Sequence, residues 1–188
     1  SRASADTVFV TLSGGVGAAR MLRALLAAFP DDEHVAVVNT ADDEVIDGLS
    51  VSPDLDTMMY TLAGANDDQR GWGLQGETWQ AMASLRRYTD ASGRGDLSWF
   101  NLGDRDLGTH LYRTTRLHEG ATLTEVTAEL VAGWELPVTL LPVTDDPLAT
   151  HLTTVDGELT FQEYFVRHQH GVAVTGVRFA GAETARPG

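Results

Sequence analysis

A glycine-rich segment near the amino terminus is the first candidate for chemistry. Gly14, Gly15 and Gly17 separate an apolar, β-branched run at 7–12 from a segment rich in Ala, Leu and Arg. A turn of small residues between a strand and a helix exposes backbone N–H groups at the positive end of the helix dipole. The segment therefore predicts a site for a phosphate group, although such turns also serve only to reverse the chain tightly.

The common nucleotide-binding patterns do not fit this segment. Arg20 stands where the dinucleotide fingerprint requires a third small residue, and the chain contains no lysine, which excludes a Walker site. An anion must therefore be held by arginine, by backbone N–H groups or by a metal. Arg20 is a candidate for that contact.

Carboxylates supply the second candidate group. Asp42 and Asp43 follow an apolar run at 34–39, and Asp56 lies near the start of the next predicted helix. Neighbouring parallel strands release their loops at one edge of a sheet, so Asp42 and Asp43 should face the glycine turn. Carboxylates beside an anion site need a cation between them, and oxygen ligands suit Mg²⁺. We therefore predict that Asp42 and Asp56 are metal ligands, and that Asp42, Asp43 and Asp56 are catalytic candidates. The alternative is that acidic residues at the start of a helix only cap it or interact with its dipole.

A polar motif in the middle of the chain could bind an anionic substrate. Asp104 and Arg105 precede a predicted helix that carries His110. Arginine can hold a phosphate or carboxylate through two parallel hydrogen bonds. The alternative is a capped helix with local ion pairs.

The elements that must position these residues indicate an α/β fold. Strands are predicted at 7–12, 34–39 and 138–143, with helices at 18–29, 54–63, 77–88, 106–118 and 123–133. The first strand, helix and strand form a βαβ unit, which requires a parallel sheet. Ser52 and Pro53 are predicted to start the second helix, and Thr122 and Glu125 are predicted to form a capping box. Residues 151–161 are predicted to form a hairpin with Asp156-Gly157 as its turn.

Composition excludes several classes of protein. The chain has 188 residues, 43% of them hydrophobic, and no cysteine, which excludes disulfide scaffolds and thiolate metal sites. A formal net charge of -14 argues against binding to nucleic acid or to an anionic membrane surface. No apolar run approaches the roughly 18 residues of a membrane span. The opening residues 1–6 do not resemble a secretory signal, and we predict a cytoplasmic protein.

Six short motifs occur in order over most of the chain: Ser-Gly-Gly-Val-Gly-Ala at 13–18, Val-Asn-Thr-Ala-Asp-Asp at 38–43, Ser-Pro-Asp-Leu-Asp-Thr at 52–57, Leu-Gly-Asp-Arg-Asp-Leu at 102–107, Leu-Pro-Val-Thr-Asp-Asp-Pro at 141–147 and Phe-Gln-Glu-Tyr-Phe at 161–165. In their order and at about their spacing, these motifs resemble the 2-phospho-L-lactate transferase family, which contributes to biosynthesis of the deazaflavin coenzyme F-420.

The resemblance implies a function. Family members transfer a phospholactyl or phosphoenolpyruvyl group from a guanylyl-diphosphate-linked donor to the deazaflavin alcohol FO, release GMP and require Mg²⁺. Asp42 and Asp56 correspond to carboxylates linked to the metal or to FO, and Arg20 matches a basic position. Asn101 corresponds to an FO contact that is often a basic residue in the family, so it departs from that pattern.

The resemblance also implies an architecture. The expected fold is a Rossmann-like, doubly wound, mainly parallel sheet with a helical region inserted at about 53–133, usually in a homodimer. Because family chains are longer, residues 1–188 are expected to form the amino-terminal part of one such transferase domain, truncated at its carboxyl side. Two alternatives stay open: a nucleotide-sugar-binding regulatory protein of the same superfamily without transferase activity, and an NAD-binding oxidoreductase, against which Arg20 argues.

Overall fold

The computed structural model describes residues 7–188. The opening residues used for the cytoplasmic prediction lie outside this range. The elements follow in chain order: β1 (Val8–Ser13), α1 (Gly15–Ala28), β2 (Glu33–Val38), β3 (Glu44–Ile46), β4 (Leu49–Val51), α2 (Pro53–Leu62), α3 (Gln80–Ser92), α4 (Asp104–His118), α5 (Leu123–Gly133), β5 (Thr139–Pro142), β6 (Ala149–Thr154), β7 (Gly157–Thr160) and β8 (Val174–Ala180). Short 3₁₀ and π-helical turns lie at Gly95–Leu97 and Glu163–Arg167.

A parallel sheet in the order β1-β2-β5 confirms the predicted α/β class and the βαβ unit. The register places Ser13 beside Val38, and Val38 beside Pro142, so the three strands end together. Helices α1, α2 and α5 pack on one face of this sheet, around Leu22, Met58 and Leu140. Burial of this apolar face is the main force that fixes the helices on the sheet.

The opposite face of β1 is open to solvent in the described part of the chain. Val8, Val10 and Leu12 alternate with inward-facing residues and are 48%, 63% and 84% exposed. Alternation with a period of two is the expected consequence of strand geometry. The described helices therefore cover one side of this strand.

The predicted helices all form, α5 with the predicted bounds and the other four with shifted ends. Helix α1 begins at Gly15, inside the segment expected to be a turn, and α3 covers Gln80–Ser92 rather than 77–88. The capping box of Thr122 and Glu125 is confirmed. Pro53 is the first residue of α2, but the Ser52 hydroxyl makes no cap and donates to Asp43 instead at 2.6 Å.

A second sheet in the order β7-β6-β8 is antiparallel. The β6–β7 hairpin is confirmed, but its two-residue turn is Val155-Asp156, because Thr154 pairs with Gly157. The Thr154 hydroxyl fixes this register by donating to the Gly157 carbonyl at 2.8 Å and accepting from the Asp156 N–H at 3.2 Å. Strand β8 and the short β3–β4 hairpin were not predicted. No helix in the described range is long and apolar enough to cross a membrane.

Candidate active site

The carboxyl ends of β1 and β2 bring the glycine turn and the first acidic loop to one edge of the sheet. The Asn39 N–H donates to the Ser13 carbonyl at 2.9 Å and joins the two chain segments just beyond the strands. The predicted meeting of these loops is therefore confirmed. The geometry follows from parallel pairing, which places both strand ends on the same side.

Two of the three glycines allow a close approach to the turn. A Cβ on Gly14 would lie 3.2 Å from Oδ2 of Asp54, and a Cβ on Gly15 would lie 3.4 Å from its Oδ1. Gly15 also has a φ of +63°, which favours glycine. A Cβ on Gly17, in contrast, would meet nothing within 4 Å. The group that uses the space at Gly14 and Gly15 is thus the carboxylate of Asp54.

Asn39 joins two carboxylates beside this turn. Its Nδ2 donates to Asp42 at 3.2 Å and to Asp54 at 2.9 Å. Burial raises the pKa of Asp42, and the nearby charge of Asp54 adds to that rise. Burial also raises the pKa of Asp54, while Asn39 and the backbone amide of Gly15 act in the opposite direction. The two carboxylates therefore form one half-buried acidic pair.

This acidic pair fits a magnesium ion that is shared with a substrate. No group of three or more His, Asp or Glu side chains among residues 7–188 forms a protein-only metal site. Magnesium is commonly held by one or two carboxylates together with substrate phosphates and water, however. Asp42 and Asp54 supply hard oxygen ligands beside a turn suited to phosphate. Their chemistry matches that mode of binding.

Asp43 lies deeper than Asp42. Burial raises its pKa to about 8, although Ser52 and Arg113 lower it in part. Its Oδ2 accepts the Ser52 hydroxyl, while its buried Oδ1 has no hydrogen-bond partner among the described residues. Asp42 and Asp43 line a cleft of about 210 Å³ together with Thr150 and Phe161. A carboxyl group with such a pKa can exchange protons near neutral pH.

Asp56 is engaged by a buried arginine. Arg113 is 1% exposed and contacts both carboxylate oxygens of Asp56, with Nη1 3.2 Å from Oδ2. The same Nη1 donates to the Ser50 carbonyl in β4 at 3.2 Å. Asp56 is therefore paired with Arg113 in this structure, and its predicted catalytic and metal roles stay predictions.

His110 belongs to the same buried network. It is 2% exposed, with Nδ1 3.3 Å from Arg113 Nη1 and Nε2 3.4 Å from Asp106 Oδ1. The Tyr60 hydroxyl donates to Asp106 at 2.7 Å. Burial acts to raise the pKa of Asp106, but His110 and Tyr60 hold it below its usual value. His110 thus helps to join α2 to α4, and its predicted substrate contact stays a prediction.

Two carboxylates cap the helices α3 and α4 reciprocally. Asp104, the first residue of α4, caps α3, and Glu77, which precedes α3, caps α4. The Asp104 carboxylate accepts from the backbone N–H groups of Gln80 and Ala81 at 3.0 Å each, at the start of α3. Glu77 in turn accepts from the N–H of Arg105 at 2.8 Å, at the start of α4. Both bonds satisfy helix N–H groups that lack intrahelical partners. Asp104 is therefore a cap of α3 in this structure, which is a different role from the predicted substrate contact.

Arg105 and Asn101 also contact the helical region. Arg105 Nη1 donates to the Gln75 carbonyl at 2.7 Å, and Asn101 Oδ1 accepts from Arg86 Nη2 at 2.7 Å. These bonds lie near the helix ends rather than at the glycine turn. Arg86 therefore places a cation beside Asn101.

A second cleft begins at the first turn of α1. It has a volume of about 310 Å³ and is lined by Val16, Arg20, Asn66, Trp72 and the α2 residues Thr57, Tyr60 and Thr61. Trp72 is 44% exposed, and its ring lies 5.6 Å from the guanidinium of Arg70. The cleft thus combines a cation and an aromatic surface close to the predicted anion site.

Two residues of this region, Asn39 and Asp54, are not among the candidates predicted from the sequence. Asp54 stands two residues before Asp56, near the start of α2. On a helix, residues two apart point in different directions, so only one of the two carboxylates can face the turn. The spacing of Asp54 and Asp56 thus indicates that one of their carboxylates faces the turn, but it does not indicate which of the two.

Curated relatives match the chain over nearly its whole length. It is 44% identical over 185 residues to the phosphoenolpyruvate transferase of Nocardia farcinica, covering 95% of this chain and 54% of that protein. It is 45% identical over 183 residues to the phosphoenolpyruvate transferase of Kitasatospora aureofaciens, covering 95% and 56%. The chain therefore spans about half the length of these relatives.

A solved structure supports the fold. A member of the UPF0052 family from Bacillus halodurans has a TM-score of 0.55 and 18% identity, covering 96% of this chain and 52% of that one. Residues 9–188 match the family model described as 2-phospho-L-lactate transferase CofD. Because that match takes in both loops of the site and nearly all of the chain, the chain belongs to the CofD family.

Proposed function

We propose that this chain binds the donor and acceptor of a transferase that acts in coenzyme F-420 biosynthesis. The transferred group is a phosphoenolpyruvyl or 2-phospho-L-lactyl group, the donor is linked to guanylyl diphosphate, and the acceptor is FO. The observation that carries the proposal is the meeting of the glycine turn with Asp42 and Asp54 at one sheet edge, in a chain of the CofD family. The phosphoenolpyruvate transferase relatives favour this activity over the nucleotide-sugar regulator.

Each part of the site has a proposed task. The amides of Gly14 and Gly15 and the guanidinium of Arg20 bind the donor's diphosphate. The exposed ring of Trp72 gives the planar deazaflavin a surface for stacking. The terminal ribityl hydroxyl of FO attacks the donor phosphorus farther from guanosine, forming a P–O bond while the P–O bond to GMP breaks.

Asp43 is the proposed acceptor of the proton that this hydroxyl loses. Only the ionised form of Asp43 can accept this proton, and with a pKa of about 8 that form grows as pH rises through 7 to 8. Asp42 and Asp54 are the residues that would hold Mg²⁺. When bound, the ion would neutralise negative charge on the phosphates. Positioning and charge neutralisation supply most of the acceleration in phosphoryl transfers.

The test follows FO binding and GMP release. We expect the chain to bind FO and a guanylyl-linked nucleotide, but not UDP-sugars, in calorimetric titrations with Mg²⁺. In assays of GMP release from the donor in the presence of FO, Asp42→Asn should lower turnover by about 100-fold or more. The exposed Asp31→Asn, at the other end of α1, is the matched control and should leave turnover unchanged. Binding of UDP-sugars without FO would show that the regulatory alternative is correct.

A further inference from the structure

Two hydrogen bonds from distant parts of the chain reach the acidic loop that follows β2. The backbone N–H of Thr150, in β6, donates to the Ala41 carbonyl at 2.7 Å. Nε2 of Gln162, in the turn after β7, donates to the Asp42 carbonyl at 3.2 Å, across 120 positions of the chain. The first carbonyl belongs to the peptide plane between Ala41 and Asp42, and the second to the plane between Asp42 and Asp43. Both peptide planes that flank Asp42 are therefore held from the β6–β7 hairpin and the turn that follows it.

The turn that carries Gln162 is itself fixed by a reciprocal pair of hydrogen bonds. The Thr160 hydroxyl accepts from the Glu163 N–H at 3.2 Å, and the Glu163 carboxylate accepts from the Thr160 N–H at 3.0 Å. This is the arrangement of a capping box at the start of a helical turn. Because Thr160 pairs with His151 across the hairpin, Thr150 and Gln162 lie at the same end of it. The two donors are thus presented to the loop together.

Packing alone does not explain a glutamine at position 162. The side chain is 6% exposed. Burying an amide costs free energy unless it is hydrogen-bonded, and an apolar side chain of the same length would fill the space without that cost. Bonds within the loop, such as that from the Asp43 N–H to the Thr40 carbonyl at 3.1 Å, set the local shape of the loop but do not fix its place on the protein. The bond from Gln162 joins the loop to a distant element and therefore does fix its place.

We propose that Gln162 is a positioning residue for the transfer reaction: together with the Thr150 N–H, it fixes both peptide planes that flank Asp42. The carboxylates of Asp42 and Asp43 are thereby kept in the places where the reaction needs them. A displacement of about 1 Å at a reacting centre can lower the rate about 100-fold. The inference rests on the proposed function, because that function gives the two carboxylates their tasks.

Native-state hydrogen exchange tests whether Gln162 holds the loop. Exchange in segment 40–43 is followed by mass spectrometry in the whole 188-residue chain. Gln162→Met keeps the length of the side chain and removes its donor, and Gln162→Asn shortens the side chain so that the donor no longer reaches. The control is Gln75→Met, because Nε2 of Gln75 also donates to a backbone carbonyl, that of Gly64 at 2.8 Å, but outside the acidic loop. Thermal unfolding establishes that each variant is folded.

The expected result has two parts. Both Gln162 variants should raise exchange in segment 40–43 about 2- to 10-fold, the range expected for loss of one hydrogen bond, and Gln75→Met should leave this segment unchanged. In assays of GMP release with FO, Mg²⁺ and either the enolpyruvyl or the lactyl form of the guanylyl-linked donor, the Gln162 variants should lower kcat per folded molecule at least about 10-fold. KM for FO and for the donor should stay within about 2-fold, because the proposed contacts with both ligands remain in place.

Three outcomes overturn the inference, and they can be told apart. Unchanged exchange in segment 40–43 shows that Gln162 does not hold the loop, whatever the activity. Raised exchange with an unchanged kcat per folded molecule shows a purely structural bond, and the proposed function then stands without the positioning role. If the unaltered chain releases no GMP from either form of the donor, the proposed function fails and the positioning role fails with it.

Discussion

Removal of the buried Arg113 guanidinium is expected to destabilise the protein strongly. Arg113→Ala leaves the Asp56 carboxylate, which is 5% exposed, without its counter-charge. It also removes the contacts of Arg113 with the Ser50 carbonyl and with His110. Breaking a buried ion pair from one side typically costs about 3–5 kcal/mol. For a chain of this size, that corresponds to a fall in Tm of roughly 6–20 °C.

Urea denaturation followed by circular dichroism measures this loss. The matched control is Arg116→Ala on the same helix, because Arg116 also pairs with two carboxylates, Glu119 and Glu129, but its side chain is 32% exposed. Exposed pairs contribute little, so this variant should lose only a small part of what Arg113→Ala loses. The double variant Asp56→Leu/Arg113→Met removes both charges and should recover at least half of the stability. Equal losses for Arg113→Ala and Arg116→Ala would refute the argument from burial.

Two further predictions concern Asp43 and the helix caps. The folded state keeps the Asp43 proton up to its pKa of about 8, whereas the unfolded state loses it near the ordinary value of 3.8. The stability from this proton is therefore complete below about pH 4 and is lost as pH rises to about 8, by up to about 1.4 kcal/mol per pH unit. Asp43→Asn should show a smaller fall in unfolding free energy between pH 5 and 8, and an unchanged slope would contradict the raised pKa. Gly103→Ala should lose about 1–3 kcal/mol in urea denaturation, because its Cβ would lie 2.2 Å from Cδ of Glu77. Gly108→Ala lies inside α4, which begins just after Gly103, and a Cβ there meets nothing within 4 Å. This variant should gain about 0.5–1 kcal/mol, and similar effects at both glycines would count against the capping contact.

Local patterns in the chain were sufficient for much of the fold. Alternation of apolar residues and the glycine turn predicted β1, α1 and β2, because these signals act over a few neighbouring residues. The βαβ rule then placed the glycine turn and Asp42 at one sheet edge, and the structure has them there. The capping box at Thr122 was also predicted, since both of its bonds join residues three apart.

Short strands were beyond this kind of reasoning. The β3–β4 hairpin pairs only three residues in each strand and lies within an acidic stretch without a clear period. Strand β8 has its extended form because it pairs with β6, whose paired residues lie twenty or more positions earlier in the chain. In both cases the stabilising contacts come from partners that local propensity does not reveal.

The roles of the charged side chains were decided by the tertiary structure. The sequence by itself determined that carboxylates and a glycine turn would share one edge, since strand direction fixes where loops emerge. It did not determine that Asp54 faces that turn while Asp56 faces Arg113, which lies 57 residues away along the chain. Nor did it show that Asp104 caps α3 and that Glu77 caps α4. The physical reason is that a buried charge must find a partner, and the nearest partner in space is set by how the helices pack.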